Sequence, residues 1–264
     1  MQYGAMNFPV RPIVSEIDAF AELGFDYLEL AMDPPQAHYS QVRRQKSEIL
    51  AALARHRLEL VCHLPTFVYT ADLTASIRQA SVNEMLASLE TAADLGARKA
   101  VLHPGLINAL APYVLETARG YAMDSLATIV ARADRLGVGL CLENMFPHYR
   151  SCVEPEDFRE VFRIFPGLKM TLDTGHAHIN DPSGRRLMSL IEGFGHRLGH
   201  IHVSDNRGQN DEHLALGAGS IKFTKVVKAL QKTGYDDTIT LEVFCQDRRL
   251  LVESRQRLAA LWAA

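Results

Sequence analysis

A single α/β domain closed into a (β/α)8 barrel is predicted by three features of the sequence. Short runs rich in apolar and β-forming residues alternate with longer stretches of helical period, eight alternations can be counted from end to end, and glycine recurs where helix returns to strand. The expected strands, in order, are 2–6 (Gln-Tyr-Gly-Ala-Met), 27–32 (Tyr-Leu-Glu-Leu-Ala-Met), 58–63 (Leu-Glu-Leu-Val-Cys-His) and 99–103 (Lys-Ala-Val-Leu-His). They continue with 139–143 (Gly-Leu-Cys-Leu-Glu), 169–173 (Lys-Met-Thr-Leu-Asp), 199–204 (Gly-His-Ile-His-Val-Ser) and 238–243 (Thr-Ile-Thr-Leu-Glu-Val). Between them, 76–95 is expected to be helical, with Ile77, Ala80, Met85, Leu89 and Ala92 roughly at helical spacing, as is 113–136. Gly24, Gly96, Gly137 and Gly234 each follow such a stretch and precede a strand, where a left-handed residue ends a helix.

Strands that alternate with helices are parallel and joined by crossovers, and eight of them in one domain favour a closed barrel over an open doubly wound sheet. No glycine-rich phosphate loop follows the first strand, which weakens a dinucleotide-binding alternative. At 264 residues and 47% hydrophobic composition the chain buries a full core, so 1–264 is read as one domain. The formal charge of -3 and the lack of a Lys/Arg run do not favour nucleic acid, which stays a lesser alternative partner. With neither a basic-then-apolar leader nor a membrane-length apolar run, a soluble, cytoplasmic protein is expected. Cys62, Cys141, Cys152 and Cys245 occur singly, which suggests neither a disulfide framework nor a thiolate zinc site; Cys62, Cys141 and Cys245 are expected in the core.

In such a barrel the active site lies at the carboxyl ends of the strands. Strand three ends at His63, strand four at His103, strand five at Glu143, strand six at Asp173 with His176 just beyond, strand seven near His202 and strand eight at Glu242; Asp211 and His213 lie in the loop after strand seven. These nine Asp, Glu and His side chains are the mixture that divalent zinc, manganese or iron accepts without thiolate help. A single histidine closing a strand is ordinarily a hydrogen-bonded structural residue. Three carboxylates crowded at one mouth repel each other, so Glu143, Asp173 and Glu242 together call for a cation.

His200, two residues before His202, is expected one layer deeper as a supporting or core residue. His38, His56, His148 and His196 are expected in solvent, and His178 has no spacing argument. Asn144, Asp205 and Asn206 are expected either to bind substrate and orient ligands or to serve a surface loop. Glu29 is expected to face the barrel and contact substrate, or to pair with a basic residue.

With these residues in place, the chain resembles the xylose isomerase-like TIM-barrel superfamily, which holds sugar isomerases, ketose and inosose epimerases and an apurinic endonuclease IV branch. The resemblance runs from about Tyr27 to Phe244. It rests on Leu-Glu143-Asn, Leu-Asp173-Thr-Gly-His176, His202-Val-Ser-Asp, Asp211-Glu-His213-Leu-Ala-Leu-Gly217-Ala-Gly219 and Leu-Glu242. Resemblance to the epimerase branch implies one manganese-like ion on Glu143, Asp173, His202 and Glu242, with the two glutamates relaying protons and His176 binding substrate. Resemblance to the endonuclease branch implies zinc ions on His63, His103 and Glu143, on Glu143, Asp173, His202 and Glu242, and on His176, Asp211 and His213. This chain departs from that branch in His63-Leu64-Pro65-Thr66, where His-Ala-Pro-Tyr is usual, and in Gly217-Ala218-Gly219, where Gly-Glu-Gly is usual.

The leading expectation is a divalent-metal-dependent isomerase or epimerase of a sugar or sugar phosphate, with a metal-stabilised enediolate and Glu143 and Glu242 exchanging the proton. The alternatives are a multi-zinc phosphoesterase and a metal-stabilised binding protein without chemistry. One to three zinc or manganese ions are implied. Homo-oligomerisation is compatible with the fold, but no residue pattern specifies a partner face.

Overall fold

The computed structural model describes residues 1–264, and in it eight parallel strands close in sequential order into one barrel. They are β1 (Gln2–Met6), β2 (Tyr27–Ala31), β3 (Glu59–His63), β4 (Lys99–Leu102), β5 (Gly139–Glu143), β6 (Lys169–Asp173), β7 (Leu198–Val203) and β8 (Thr238–Leu241). β1 meets β8 with Gln2 opposite Thr238 and Ala5 opposite Leu241, so no sheet edge is left. The eight expected strands are all present, with ends shifted by one or two residues. β4 stops before His103-Pro104, because proline has no N–H to extend the ladder, and β8 stops before Glu242.

The helices are α1 (Ile13–Glu22), α2 (Tyr39–Arg44), α3 (Lys46–His56), α4 (Ala75–Asp94), α5 (Leu115–Leu136), α6 (Pro155–Ile164), α7 (Thr174–His178), α8 (Arg185–Phe194), α9 (Phe223–Thr233) and α10 (Arg249–Ala263), of which the short α7 is buried at the end of β6. Gly24, Gly96, Gly137 and Gly234 adopt φ of 73, 74, 69 and 72°, the left-handed ends that the spacing predicts. α4 corrects one expectation. Ile77 and Ala80 are exposed, and the buried stripe is Ser81, Val82, Met85, Ser88, Leu89 and Ala92. Met85, Leu89 and Ala92 lie on that stripe as their spacing predicts, and small serines fill further contact positions there.

Side chains alternate across each strand. One set, including Leu28, Leu30, Leu60, Leu140, Leu142, Met170, Leu172 and Ile201, packs in a continuous core with the helices. The other set faces the axis. There Tyr27, Val61 and Val101 form a small apolar cluster, while Glu29, Glu143, Thr171, Asp173, His200, His202 and Thr240 make the rest of the interior polar and buried. Gly4 leaves room for Tyr27, since a Cβ at position 4 would lie 2.2 Å from the ring. The phenol is held 2.8 Å from Thr240 Oγ1. Between β6 and β7 a register shift at Met170/Thr171 sets Asp173 directly opposite His202.

His148 and His196 are exposed as expected, but His38 and His56 are half-buried and paired with Glu84 at 3.0 Å and Asp18 at 2.7 Å. Cys62 and Cys141 are buried, whereas Cys245 is half-exposed in the loop after β8. No helix is long and apolar enough to cross a membrane.

Candidate metal centre

The strand ends bring the predicted donors together. Oxygens of Glu143, Asp173 and Glu242 and a nitrogen of His202 lie within 4.8 Å of one another, and all four residues are buried. His202 Nδ1 is 3.1 Å from Glu143 Oε1, 3.2 Å from Glu242 Oε1 and 3.9 Å from Asp173 Oδ2. The other Glu143 oxygen, Oε2, faces His63 Nε2 at 3.3 Å and His103 Nε2 at 3.2 Å, and these three residues form a second convergent set. On the far side Asp211 Oδ2 lies 3.3 Å from His176 Nε2 and 3.0 Å from His213 Nε2. The nine predicted donors thus fall into three sets, with Glu143 shared between the first two.

Three observations make these donors fit a cation. Asp173 Oδ1 caps α7 by accepting from His176 N–H at 2.5 Å, while its Oδ2 is buried without a hydrogen-bond partner, as is Asp211 Oδ1. A buried carboxylate oxygen left unpaired is costly, and a bound cation satisfies it. Burial pushes the Glu242 carboxyl up to about 7, helped by Glu143 and Asp173, despite the opposing charge of His202. Burial also raises Asp173, with Glu143 and Asp211 adding to the effect. Glu143 runs the other way: burial raises it, but His202 and His103 outweigh burial and hold it well below the usual range. The donor set itself, hard oxygens with imidazole nitrogen and no sulfur, suits zinc, manganese or iron.

Protons must leave before an ion can bind here. Burial depresses the His63 and His213 imidazoles, but the hydrogen bonds they donate to Glu143 and Asp211, respectively, more than offset it, and both are pushed up to about 9. His202 and His176 are likewise raised well above the ordinary range against the effect of burial, His202 chiefly by Glu242 and Glu29 and His176 chiefly by Asp173.

Several residues expected at the substrate stand behind the donors instead. Glu29 is fully buried below the mouth, with Oε1 3.0 Å from His202 Nε2 and Oε2 2.9 Å from His200 Nε2. It therefore meets its basic partners rather than the cavity. Accepting the Nε2 proton of His202 leaves Nδ1 as the ligand atom, aimed at the three carboxylates. His200 is the deeper supporting residue that its spacing predicts, anchored to Thr238 Oγ1 at 2.7 Å. We expect Glu29→Gln to weaken divalent-ion affinity by about 10–100-fold. Competition against a chelating dye measures this, and an unchanged affinity would remove Glu29 from any role in aiming His202.

Asn144 is also buried away from the cavity and clamps Asp173, accepting from its N–H at 2.8 Å and donating to its carbonyl at 3.0 Å. Asp205 is fully buried and organises the following loop. Its Oδ2 accepts from the N–H groups of Gly217 and Gly219 at 2.8 and 3.0 Å, and its Oδ1 from Asn206 and Ile221 at 2.9 and 3.1 Å. A Cβ at Gly219 would lie 2.4 Å from that carboxylate, which explains the small residue. Neither Asn144 nor Asp205 lines the cavity, so both orient their neighbours. Asn206 Nδ2 donates to the Gly175 carbonyl at 2.9 Å and so belongs to the same scaffold. His178 bonds to Ser220 at 2.8 Å, outside the donor cluster.

Above the donors opens a cavity of about 460 Å³ lined by His63, His103, Glu143, His176, Asp211, His213 and Glu242 at its floor. Its walls hold Met6, Phe8, Phe67, Leu106, Met145, Phe146, Tyr149 and Phe244, none of which the sequence reading singles out. Met6 closes β1, and the others come from the loops after β1, β3, β4, β5 and β8, where no periodicity marks a residue. The only sequence signal of the phenylalanines and Tyr149 is an aromatic side chain a few residues past a strand end.

Fold and centre together define a (β/α)8 barrel with a buried carboxylate–histidine centre at the carboxyl ends of its strands. The chain belongs to the xylose isomerase-like TIM barrel family, whose description matches residues 17–261. It is 28% identical over 250 residues to an uncharacterised protein of Methanocaldococcus jannaschii, covering 92% of this chain and 83% of that one. It is 20% identical over 240 residues to fructoselysine 3-epimerase of Escherichia coli O157:H7, covering 88% and 86%. It is also 28% identical over 197 residues to a probable endonuclease 4 of Mycoplasmoides gallisepticum, covering 67% and 63%. Among solved structures, a D-tagatose 3-epimerase-like protein superposes with TM-score 0.86 at 27% identity, covering 100% of this chain and 97% of that one.

Proposed function

We propose that this protein is a divalent-metal-dependent sugar isomerase or epimerase that moves a proton on a carbon next to a carbonyl. The observation that carries the proposal is the pair Glu143 and Glu242. Both carboxylates converge on His202 Nδ1 at the floor of one cavity, yet their surroundings drive them apart, Glu143 held low and Glu242 pushed up to about 7. Two carboxylates facing each other across one centre in this way can take and return a proton.

Glu143, Asp173, His202 and Glu242 would hold the ion, which when bound supplies a Lewis acid to polarise a carbonyl and its neighbouring hydroxyl. Glu143, ionised, takes a proton from substrate carbon. Glu242 stands across the centre, and its Oε2 is the less engaged oxygen, with His213 Nδ1 no closer than 3.8 Å. That oxygen returns a proton to the substrate. His63, His103, His176 and His213 line the floor and donate hydrogen bonds to substrate oxygens. The relationship to sugar epimerases supports the same reading.

A second reading, phosphoester hydrolysis, is favoured by the His63–His103–Glu143 and His176–Asp211–His213 sets and by the endonuclease relative. The cavity lining offers a nucleic acid neither lysine nor arginine to meet its phosphates. Incubating manganese-loaded protein with a ketohexose panel in deuterium oxide tests the proposal. Deuterium at the carbon beside the carbonyl is expected for at least one sugar. No exchange on any sugar, with hydrolysis of an abasic-site oligonucleotide, would replace this reading with the second.

A further inference from the structure

We infer that the substrate is an unphosphorylated sugar conjugate whose far end is apolar, an aryl or alkyl group held by the aromatic mouth of the cavity. The inference rests on the sugar-isomerase reading of the floor and adds what the walls recognise. Phe67 is 77% exposed, Phe8 47% and Phe244 43%, and all three line the cavity that leads to the donors. Such exposed rings around a polar floor mark a ligand groove.

The rings are continuous with the centre. Phe244 lies 6.3 Å from Phe8 and 4.5 Å from His213, and on the opposite wall Phe146 lies 5.2 Å from His176. A molecule whose oxygens meet the histidines therefore has its other end between phenyl faces. A free hexose puts a hydroxyl on that end, where the polar groups of the lining are Asp33, Thr66, Tyr69 and Tyr149. Asp33 Oδ1 already accepts from Thr66 N–H at 3.0 Å, and the Tyr149 hydroxyl lies 3.2 Å from His103 Nδ1. Apolar area brought against these exposed rings is stabilising, whereas a hydroxyl gains nothing from them. Neither lysine nor arginine stands in the lining to meet a phosphate on that end.

The test uses manganese-loaded protein and titration calorimetry on D-fructose, D-psicose, D-tagatose and D-sorbose, each as the free sugar, its 6-phosphate and its 6-O-benzyl ether. The benzyl ether of at least one sugar is expected to bind about ten-fold tighter than its parent, a difference of about 1.4 kcal/mol, and the phosphate more weakly than the parent. Phe67→Ala and Phe244→Ala are each expected to bring the benzyl-to-parent ratio towards one. Benzyl ethers that bind no tighter than their parents, or phosphates that bind tighter, overturn the inference. Tighter benzyl binding with no proton exchange on any sugar leaves the apolar subsite standing and removes the isomerase reading. Proton exchange without a benzyl advantage does the reverse.

Discussion

Glu143→Gln and Glu242→Gln are each expected to lower turnover by about 10²–10⁴-fold, the range that a positioned acid or base contributes. Glutamine keeps the volume and one oxygen but neither takes nor gives a proton at neutral pH. Both residues are also candidate ion ligands, so ion content must be read beside activity. A variant that keeps its ion and loses turnover isolates the proton-moving role, while one that loses both reports a ligand. At position 242 the fold should survive, because removing that carboxylate relieves repulsion with Glu143 and Asp173. At position 143 the change also takes a partner from His63, His103 and His202, so a thermal melt accompanies the Glu143 variant. A Gln variant that retains more than about a tenth of wild-type turnover would remove that residue from the chemistry.

Removing the ion is expected to destabilise the protein more as pH rises. Glu242 is raised by burial to about 7, so the folded chain holds a proton that the unfolded chain releases in the ordinary carboxylate range. That contribution is present at low pH and is lost as pH climbs towards and through 7. His63 and His213, raised to about 9, act with the same sign: their stabilisation is complete below the ordinary histidine range and is lost as pH rises through 9. The ion-free protein should therefore melt at progressively lower temperature from about pH 6 to pH 9. A divalent ion displaces the proton of the His202 imidazole and should bind tighter as the cluster deprotonates. At roughly 100-fold excess over the dissociation constant, loading contributes about 2.7 kcal/mol, on the order of 5–10 °C for a domain of this size. Thermal melts at several pH values, with and without manganese, check this. A gain on loading that is constant or shrinks with pH would contradict the protonated state of the cluster.

The barrel is legible in the sequence because its strands are buried on both faces and punctuated by helix-ending glycines, so each appears as a short apolar run. The centre is legible for the opposite reason. His63, Glu143 and Asp173 each interrupt an apolar run at its carboxyl end, and a polar group there needs a chemical reason. What escapes is whatever depends on the partner a side chain meets. Glu29 faces the axis as its register implies, but its binding to His200 and His202 comes from β7, far away in sequence. Asn144 and Asp205 carry the same ambiguity and prove to be supports for Asp173 and for the loop after β7. The aromatic mouth is hidden because Phe8, Phe67, Phe146 and Phe244 lie in four separate loops. Only closure of the barrel gathers them.

Elemental analysis of the purified, untagged protein after gentle desalting tests the metal centre most directly. One manganese, cobalt or similar ion per chain, lost in Asp173→Asn and His202→Gln, is the result expected of a sugar isomerase or epimerase. Two or three zinc ions per chain, lowered by removal of His63 and His103, would contradict the single-ion reading and move the chemistry to phosphoester hydrolysis. No bound divalent ion under any loading condition would contradict the centre itself.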